Sequence, residues 1–133
     1  MDCLFCQIVA GDIPAHKVYE DEHTLAFLDI MPSGRGHTLV IPKLHATEID
    51  DINSESLSAT ILCAQIVGRM LRRKLKADGL NVFQNNGAAA GQEIGHYHLH
   101  LLPRWAGQRA SLGQRGATDH TALSALAAEL REP

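Results

Sequence analysis

The chain has 133 residues, which suits one compact domain and allows a hydrophobic core without disulfides. The formal charge of −3 with neutral histidines excludes a strongly basic, nucleic-acid-binding surface, and no apolar run is long enough to span a membrane. Three cysteines are too few for a disulfide framework, and the first residues lack the basic start and apolar run of a secretory signal. We therefore expect a cytoplasmic protein.

The predicted strands follow one another in runs and do not alternate with long helices. A short helix over residues 3–9 comes first, and a tight polar link over residues 21–23 then joins two strands as a hairpin. The five predicted strands are Lys17–Glu20, Thr24–Asp29, His37–Ile41, Leu80–Gln84 and His96–Leu102, the last of them ended by Pro103. This order predicts an α+β fold, in which an antiparallel five-stranded sheet packs with one long helix and short terminal helices.

The long helix is predicted over Ser54–Ala77. Asn53 or Ser54 can cap its start, and Gly79 lies just past its end. One apolar stripe at helical spacing comprises Leu57, Ile61, Ala64, Val67, Leu71 and Leu75. Additional apolar residues, Leu62, Cys63, Ile66 and Met70, widen this stripe beyond what one sheet face needs. A second subunit is one candidate to cover the excess.

The C-terminal part of the chain has weaker patterns. Residues 106–117 are predicted to be irregular, and Thr121–Arg131 is predicted to be a short helix rich in Ala and Leu. We place the main domain in residues 1–105 and treat residues 106–133 as a C-terminal extension of the same single domain.

Three histidines alternate along the last predicted strand. His96, His98 and His100 would share one face of that strand, while Tyr97, Leu99 and Leu101 would face the core. A single strand histidine is usually a solvated or hydrogen-bonded side chain, but three at period two are difficult to explain in this way. Either the three bind a catalytic metal, or one is a covalent nucleophile while the others hold a phosphate.

Two cysteines near the start have the spacing C-x-x-C, at Cys3 and Cys6. A redox pair is one interpretation, although no strand–helix–strand context follows it. A zinc half-site suits the same spacing, because two thiolates and two histidines complete a tetrahedral site. A third interpretation is a pair of small buried hydrophobic residues.

The run His96-Tyr97-His98-Leu99-His100-Leu101-Leu102 resembles the motif of the histidine triad (HIT) family, His-φ-His-φ-His-φ-φ with φ apolar. The resemblance extends from Cys3 to about Arg104. It includes Asp29-Ile30 after an apolar strand, the segment from Gly36 to Lys43, and the loop from Asn85 to Gln92. The small prokaryotic nucleotide-binding branch is the most similar.

The resemblance implies a nucleotide hydrolase or nucleotidyl transferase of the adenosine phosphoramidase or dinucleoside polyphosphate hydrolase type. In it, His98 would attack the α-phosphorus to form a nucleotidyl-histidine, which water or another acceptor then resolves. His100 and His37 would contact the phosphate and aid the leaving group. The alternative is a non-catalytic regulator that binds a nucleotide or zinc.

The same resemblance implies a site for a purine nucleotide or nucleoside phosphate. Asp29 would accept hydrogen bonds from the ribose, while Asn85 and Gln92 would donate to phosphate oxygens. Glu93 departs from the Ser or Thr of many relatives, so we expect its carboxylate to point away or its amide to act instead. The base pocket would comprise Leu4, Phe5, Ile8, Phe27 and Ile30.

The resemblance further implies a structural zinc site and a homodimer. The zinc ligands would be Cys3, Cys6, His45 and His96. No organic cofactor is expected, and neither nucleic acid nor a membrane is an expected partner.

Overall fold

The computed structural model describes residues 3–109 and 114–133, and it confirms the α+β prediction. The strands are β1 (Lys17–Glu20), β2 (Thr24–Leu28), β3 (Thr38–Pro42), β4 (Gly79–Phe83) and β5 (Leu99–Arg104). The helices are α1 (Leu4–Ala10), α2 (Ser54–Leu75) and α3 (His120–Arg131), with a 3₁₀ turn at Ala88–Ala90. All strand pairs are antiparallel, in the order β1-β2-β3-β5-β4. Within the described ranges, every helix is too short or too polar to cross a bilayer.

The hairpin between β1 and β2 is confirmed, and Asp21 shapes it. Its Oδ1 accepts from the backbone amides of His23 and Thr24 and from the hydroxyl of Thr24. An aspartate that captures amides two and three residues ahead stabilises a tight turn. The turn brings Glu20 opposite Leu25 and fixes the strand register.

The first helix lies one residue later than predicted. It begins after Cys3, whose sulfur accepts from the amide of Cys6 at 3.3 Å, and it ends at Gly11, which has a φ of 85°. Because α1 is short, its burial of Phe5 and Ile8 holds it on the sheet more than its own hydrogen bonds do.

The long helix α2 ends two residues earlier than predicted. Asn53 caps its start, accepting from the amide of Ser56 at 2.7 Å. At the other end Lys76 takes the left-handed conformation with φ 52°, and the amides of Lys76 and Ala77 both donate to the carbonyl of Arg72. Gly79, predicted to lie just past the end of the helix, is instead the first residue of β4, and Lys76 is the residue that ends the helix.

One face of the sheet carries the larger core. Helices α2 and α3 pack there, and α3 contributes Leu123, Ala127 and Leu130 to the same cluster as the sheet residues. The stripe predicted for α2 is largely buried, but Ile61 is 50% exposed, so its assignment to the core is wrong. Residues three and four apart share a helix face, and Ile61 lies at the edge of the face that α2 buries against the sheet.

The opposite face carries a smaller core beneath α1. Phe5 and Ile8 of the helix pack against alternate residues of the sheet, which are Leu25, Phe27, Leu39 and Ile41. The intervening residues of β2 and β3 belong to the larger core, as the alternation of side chains along a strand requires.

The last strand begins and ends later than predicted, and Pro103 does not end it. The ladder between β3 and β5 extends only from Val40–Leu99 to Thr38–Leu101. Beyond Leu101, β5 pairs with β4 alone. Pro103, which has no N–H to donate, is therefore tolerated, because the edge of β5 that faced β3 is no longer paired there. Before Leu99 the chain leaves the sheet, because the amide of Tyr97 donates to the carbonyl of Ala46 at 2.7 Å.

Candidate functional site

A cavity of about 460 Å³ opens on the α1 side of the sheet. The five residues predicted as a base pocket all line it, and they are Leu4, Phe5, Ile8, Phe27 and Ile30. Polar residues also line it, and they are Asp29, Ser33, His37, Asn85, Glu93, His98, His100 and Arg115. The cavity is thus an apolar slot that leads into a group of imidazoles.

The histidine trio alternates with core residues as predicted. Tyr97, Leu99 and Leu101 lie in the larger core, while His98 and His100 reach the cavity with ring centroids 4.9 Å apart. Of the three histidines only His100 lies within β5 itself, because the strand begins at Leu99. His96 is fully buried and joins a different group of side chains, described below.

The orientation of the His98 ring is fixed by one hydrogen bond. Its Nδ1 lies 2.7 Å from the carbonyl oxygen of His96. A carbonyl can only accept, so Nδ1 carries the hydrogen and Nε2 keeps a free lone pair in the neutral ring. Phe5 packs edge-on against the ring with centroids 5.3 Å apart, which limits its rotation.

His37 and His100 form a second set of linked rings. The amide of Ser33 donates to Nδ1 of His37, so the hydrogen of the neutral His37 ring lies on Nε2. That Nε2 donates to Nδ1 of His100 at 3.0 Å, which leaves the hydrogen of His100 on its own Nε2. His100 also stacks on Phe83 with ring centroids 4.5 Å apart and 2° between planes. One backbone amide thus sets the tautomer of both rings.

Burial favours the neutral form of the imidazoles that line the cavity. Burial lowers the pKa of His37 and of His98, and nearby Asp29 opposes the shift at both without reversing it. Burial, followed by the neighbouring histidines, lowers the pKa of His100 to about 3. These rings therefore offer lone pairs and N–H donors, and they carry no permanent positive charge.

Asp29 lies where β2 ends and is almost fully buried. Its Oδ1 accepts from the amide of Met31 at 2.9 Å, and its Oδ2 lies 3.7 Å from Nε2 of His37. A buried carboxylate at the side of a cavity can accept hydrogen bonds from hydroxyl groups of a ligand.

The loop after β4 contributes less to the cavity than its sequence suggests. Asn85 lines the cavity, but Gln92 does not, and its amide is used within the loop. Its oxygen accepts from the amide of Gly87, and its nitrogen donates to the carbonyls of Thr47 and Ile94. The structure therefore places the Gln92 amide in hydrogen bonds to nearby backbone, outside the cavity lining where its contact with a ligand was predicted.

Glu93 and Arg115 form an ion pair at the cavity mouth. Nη1 of Arg115 lies 2.7 Å from Oε2 of Glu93, and its Nη2 lies 3.4 Å from Oδ1 of Asp29. The carboxylate of Glu93 is thus directed towards a cation. Sequence reasoning missed Arg115 because it lies in the irregular C-terminal stretch, 86 residues from Asp29. The predicted irregular stretch includes residues 110–113, which lie outside the described ranges.

Four side chains behind the cavity could hold a metal ion. Cys3, Cys6, His45 and His96 offer ligand atoms that all lie within 4.8 Å of one another. The closest pairs are 3.2–3.5 Å apart. A tetrahedral zinc ion would separate such atoms by about 3.3–3.8 Å, given its usual bond lengths to nitrogen and sulfur. Nε2 of His96 donates to the carbonyl of Pro42 at 2.8 Å, so its Nδ1 has the free lone pair that a ligand needs. The residues therefore fit zinc.

A second group of potential ligands, Asp29, His37 and His100, is equally compact. Because Nδ1 of His37 accepts from a backbone amide, its Nε2 carries the ring hydrogen and has no lone pair for a metal. We therefore assign this group to hydrogen bonding.

Comparison with known proteins places these features in one family of sequences. The model of the HIT domain matches residues 10–107. A Bacillus subtilis protein named Protein hit is 47% identical over 104 residues, which cover 78% of this chain and 72% of that protein. An adenosine 5′-monophosphoramidase of Schizosaccharomyces pombe is 45% identical over 107 residues, which cover 78% of this chain and 75% of that protein.

A solved structure is similar over nearly the whole chain. It is a zinc-bound histidine triad family protein from Mycobacterium smegmatis, with a TM-score of 0.89 and 42% identity over 98% of this chain and 91% of that one. The residues matched by the HIT domain model include the histidine trio, but they exclude Cys3, Cys6 and Arg115.

Proposed function

Because the chain belongs to the histidine triad (HIT) family, we propose that it is a nucleotide hydrolase or nucleotidyl transferase in which His98 attacks the α-phosphorus of a nucleoside phosphate. One observation carries this proposal. The bond from Nδ1 of His98 to the carbonyl of His96 leaves Nε2 unprotonated in a ring that lines the cavity. A neutral imidazole nitrogen of this kind is a nucleophile that needs no base to deprotonate it.

The proposed reaction has two displacements. In the first, a bond forms between Nε2 of His98 and phosphorus, and the bond from phosphorus to the leaving group breaks. The leaving group departs with the bonding electrons and takes a proton from solvent water. In the second, water attacks phosphorus, the bond to Nε2 breaks, and the proton of the water passes to solvent. With a phosphoramidate of AMP, the products are AMP and ammonia.

The neighbouring histidines would stabilise charge on the phosphate. His100 presents Nε2–H towards the cavity, so it can donate to a phosphate oxygen as negative charge develops there. His37 would act through His100 as a positioning residue, because its own Nε2–H is already directed at that ring. Asn85 lines the same end of the cavity and can add a donor.

The remaining parts of the cavity suit a purine nucleoside. Asp29 would accept hydrogen bonds from the ribose hydroxyls, and the apolar slot under α1 would hold the base. The relative named adenosine 5′-monophosphoramidase supports a substrate of this class. An apolar slot discriminates weakly between bases, so the proposal covers purine nucleotides in general.

Hydrolysis of adenosine phosphoramidate tests the proposal. Wild-type protein, His98→Ala and His23→Ala would be compared, since His23 is an exposed histidine of the β1–β2 turn. We expect the His23 variant to retain activity and the His98 variant to lose at least about a thousandfold in kcat. Equal release of AMP by all three would refute the assignment of His98. Binding of AMP without turnover by the wild type would instead favour a regulator.

We also propose that Cys3, Cys6, His45 and His96 bind a structural zinc ion. When bound, zinc would supply four strong bonds that tie the start of α1 to the segment before β5. The His96 carbonyl that orients His98 belongs to this segment, so the metal would stabilise the backbone that orients the nucleophile. The thiols suit the reducing cytoplasm, where we place the protein.

Metal analysis tests the zinc proposal. We expect about one zinc ion per chain in the wild type and in Cys63→Ala, whose cysteine is buried in α2, and much less in Cys6→Ser. A chelator should lower the melting temperature of the first two proteins. Metal-free preparations with a melting temperature insensitive to chelator would contradict the proposal.

Finally, we propose a homodimer formed through α2 and the edge strand β4. Ile61, Leu62 and Ile66 of α2 and Val82 of β4 are exposed apolar residues. Burial of such residues in a second copy removes apolar surface from water. Light scattering should give a dimer for the wild type and a monomer for Ile66→Glu. Ile49→Glu, at an exposed apolar residue in a loop, should remain dimeric.

A further inference from the structure

Arg115 is held in position by the chain that follows it. The amide of Gly116 donates to the carbonyl of Pro32 at 2.6 Å. Three residues later, Asp119 caps α3, whose apolar face lies in the larger core. The guanidinium therefore reaches the cavity from a backbone that is anchored on its C-terminal side, and its side chain is 37% exposed at the mouth.

Charge provides the first reason to assign Arg115 a role with the substrate. It is the only lysine or arginine among the described residues that line this cavity. The guanidinium of Arg115 therefore brings a permanent positive charge to the end of the cavity where the histidines lie. A nucleotide phosphate is an anion, and a partly enclosed site that receives it needs a compensating cation.

The contacts of Arg115 provide the second reason. It spans Glu93 at 2.7 Å and Asp29 at 3.4 Å. Glu93 is 64% exposed, and an ion pair so accessible to water contributes little to folding stability. A guanidinium has five N–H donors, and these two contacts use two of them. The remaining donors of the planar guanidinium are free to contact two oxygens of a phosphate.

We propose that Arg115 binds the phosphate of the nucleotide, and that Glu93 positions its guanidinium for this contact. The inference rests on the proposed function, because it places the phosphate between His98 and the ribose site at Asp29. It also explains Glu93, whose carboxylate would repel a phosphate in the absence of Arg115. The C-terminal extension thus becomes part of the substrate site.

Paired binding measurements with AMP and adenosine test this assignment, because only AMP carries the phosphate. Calorimetric titration would use the wild type, Arg115→Gln, Arg115→Lys and Glu93→Gln, with Arg109→Gln as the matched control. Arg109 lies on the same C-terminal stretch but does not line this cavity. We expect Arg115→Gln to weaken AMP binding by about 10- to 100-fold, the range for a lost charge-assisted hydrogen bond, while adenosine binding stays within about twofold.

The other variants separate charge from geometry. Arg115→Lys should weaken AMP binding less than Arg115→Gln does, because it keeps the positive charge but loses the planar arrangement of N–H donors. Glu93→Gln should also weaken AMP binding, because the guanidinium is then less well positioned, and Arg109→Gln should match the wild type. Should Arg115→Gln fail to fold, Arg115→Lys and Glu93→Gln carry the same comparison.

Two results would overturn the inference. One is unchanged AMP affinity in Arg115→Gln, and the other is an equal loss of AMP and adenosine binding, which would indicate that Arg115 only shapes the pocket. Failure of the wild type to bind AMP would contradict the proposed function itself, and it is a separate observation.

Discussion

Gly36 directly precedes His37 of the cavity, and we expect its replacement by alanine to destabilise the fold. The residue has a φ of 81°, and a Cβ added there would lie 2.6 Å from Cδ1 of Leu75 and 3.1 Å from the ring of Pro103. Gly11 has almost the same φ, 85°, but a Cβ there would meet nothing within 4 Å. The two glycines share a backbone conformation and differ in the space around them.

The expected magnitudes follow from this difference. The left-handed conformation costs an alanine about 1–2 kcal/mol at either position. Loss of chain entropy in the unfolded state offsets about 0.4–1 kcal/mol of this cost. At Gly36, overpacking against buried Leu75 adds about 1–3 kcal/mol. We therefore expect Gly11→Ala to lower the free energy of unfolding by about 1 kcal/mol and Gly36→Ala by about 2–4 kcal/mol.

Urea denaturation of the wild type and the two variants measures these changes. Because Gly36 directly precedes His37, its variant should also lose activity by displacing the ring that orients His100. Equal destabilisation by the two substitutions would refute the reasoning, since the close contacts around Gly36 would then add nothing to the loss of stability.

Three further predictions concern pH, capping and the ribose site. His37 and His100 have lowered pKa values, so they bind fewer protons in the folded than in the unfolded state, and the free energy of unfolding should fall as pH drops below about 6.5. For His100, with a pKa of about 3, the slope approaches about 1.4 kcal/mol per pH unit between these values, and His100→Asn should make the slope shallower in urea titrations. Asn53→Ala should lower the free energy of unfolding by about 1 kcal/mol, because the amide of Ser56 loses its acceptor, and an unchanged urea midpoint would contradict this. Asp29→Asn should weaken AMP binding by about 10- to 100-fold in calorimetry and change 2′,3′-dideoxy-AMP binding much less; an equal loss for both ligands would exclude ribose recognition.

Local patterns in the sequence were sufficient to predict the elements. Period-two alternation placed Tyr97 and Leu99 in the core and His98 on the opposite face, because a strand leaves only two choices for each side chain. The C-x-x-C pair and two distant histidines also converge in space as the resemblance implied.

The errors arose where tertiary contacts decide the outcome. Pro103 continues β5 because the ladder between β5 and β3 ends at Leu101, which depends on pairing between distant segments. Ile61 has the correct spacing for the stripe but lies at its margin, and spacing alone does not fix the width of the buried face. Gln92 is used by the backbone of its own loop, which composition does not reveal.

Arg115 illustrates the limit of sequence reasoning for the site. It lies in a stretch without periodic pattern, and its two carboxylate partners are 22 and 86 residues away. The sequence marks Glu93 as unusual for a phosphate site, but only the folded chain brings the cation of Arg115 beside it.

The most direct test of the central claim is detection of the covalent intermediate. Wild-type protein would be mixed with excess adenosine phosphoramidate, quenched rapidly in alkaline denaturant, and analysed by intact-mass and peptide mass spectrometry. We predict one adenylyl group per chain on Nε2 of His98, and none in His98→Ala. Turnover without any adduct, or an adduct on a different residue, would contradict the account.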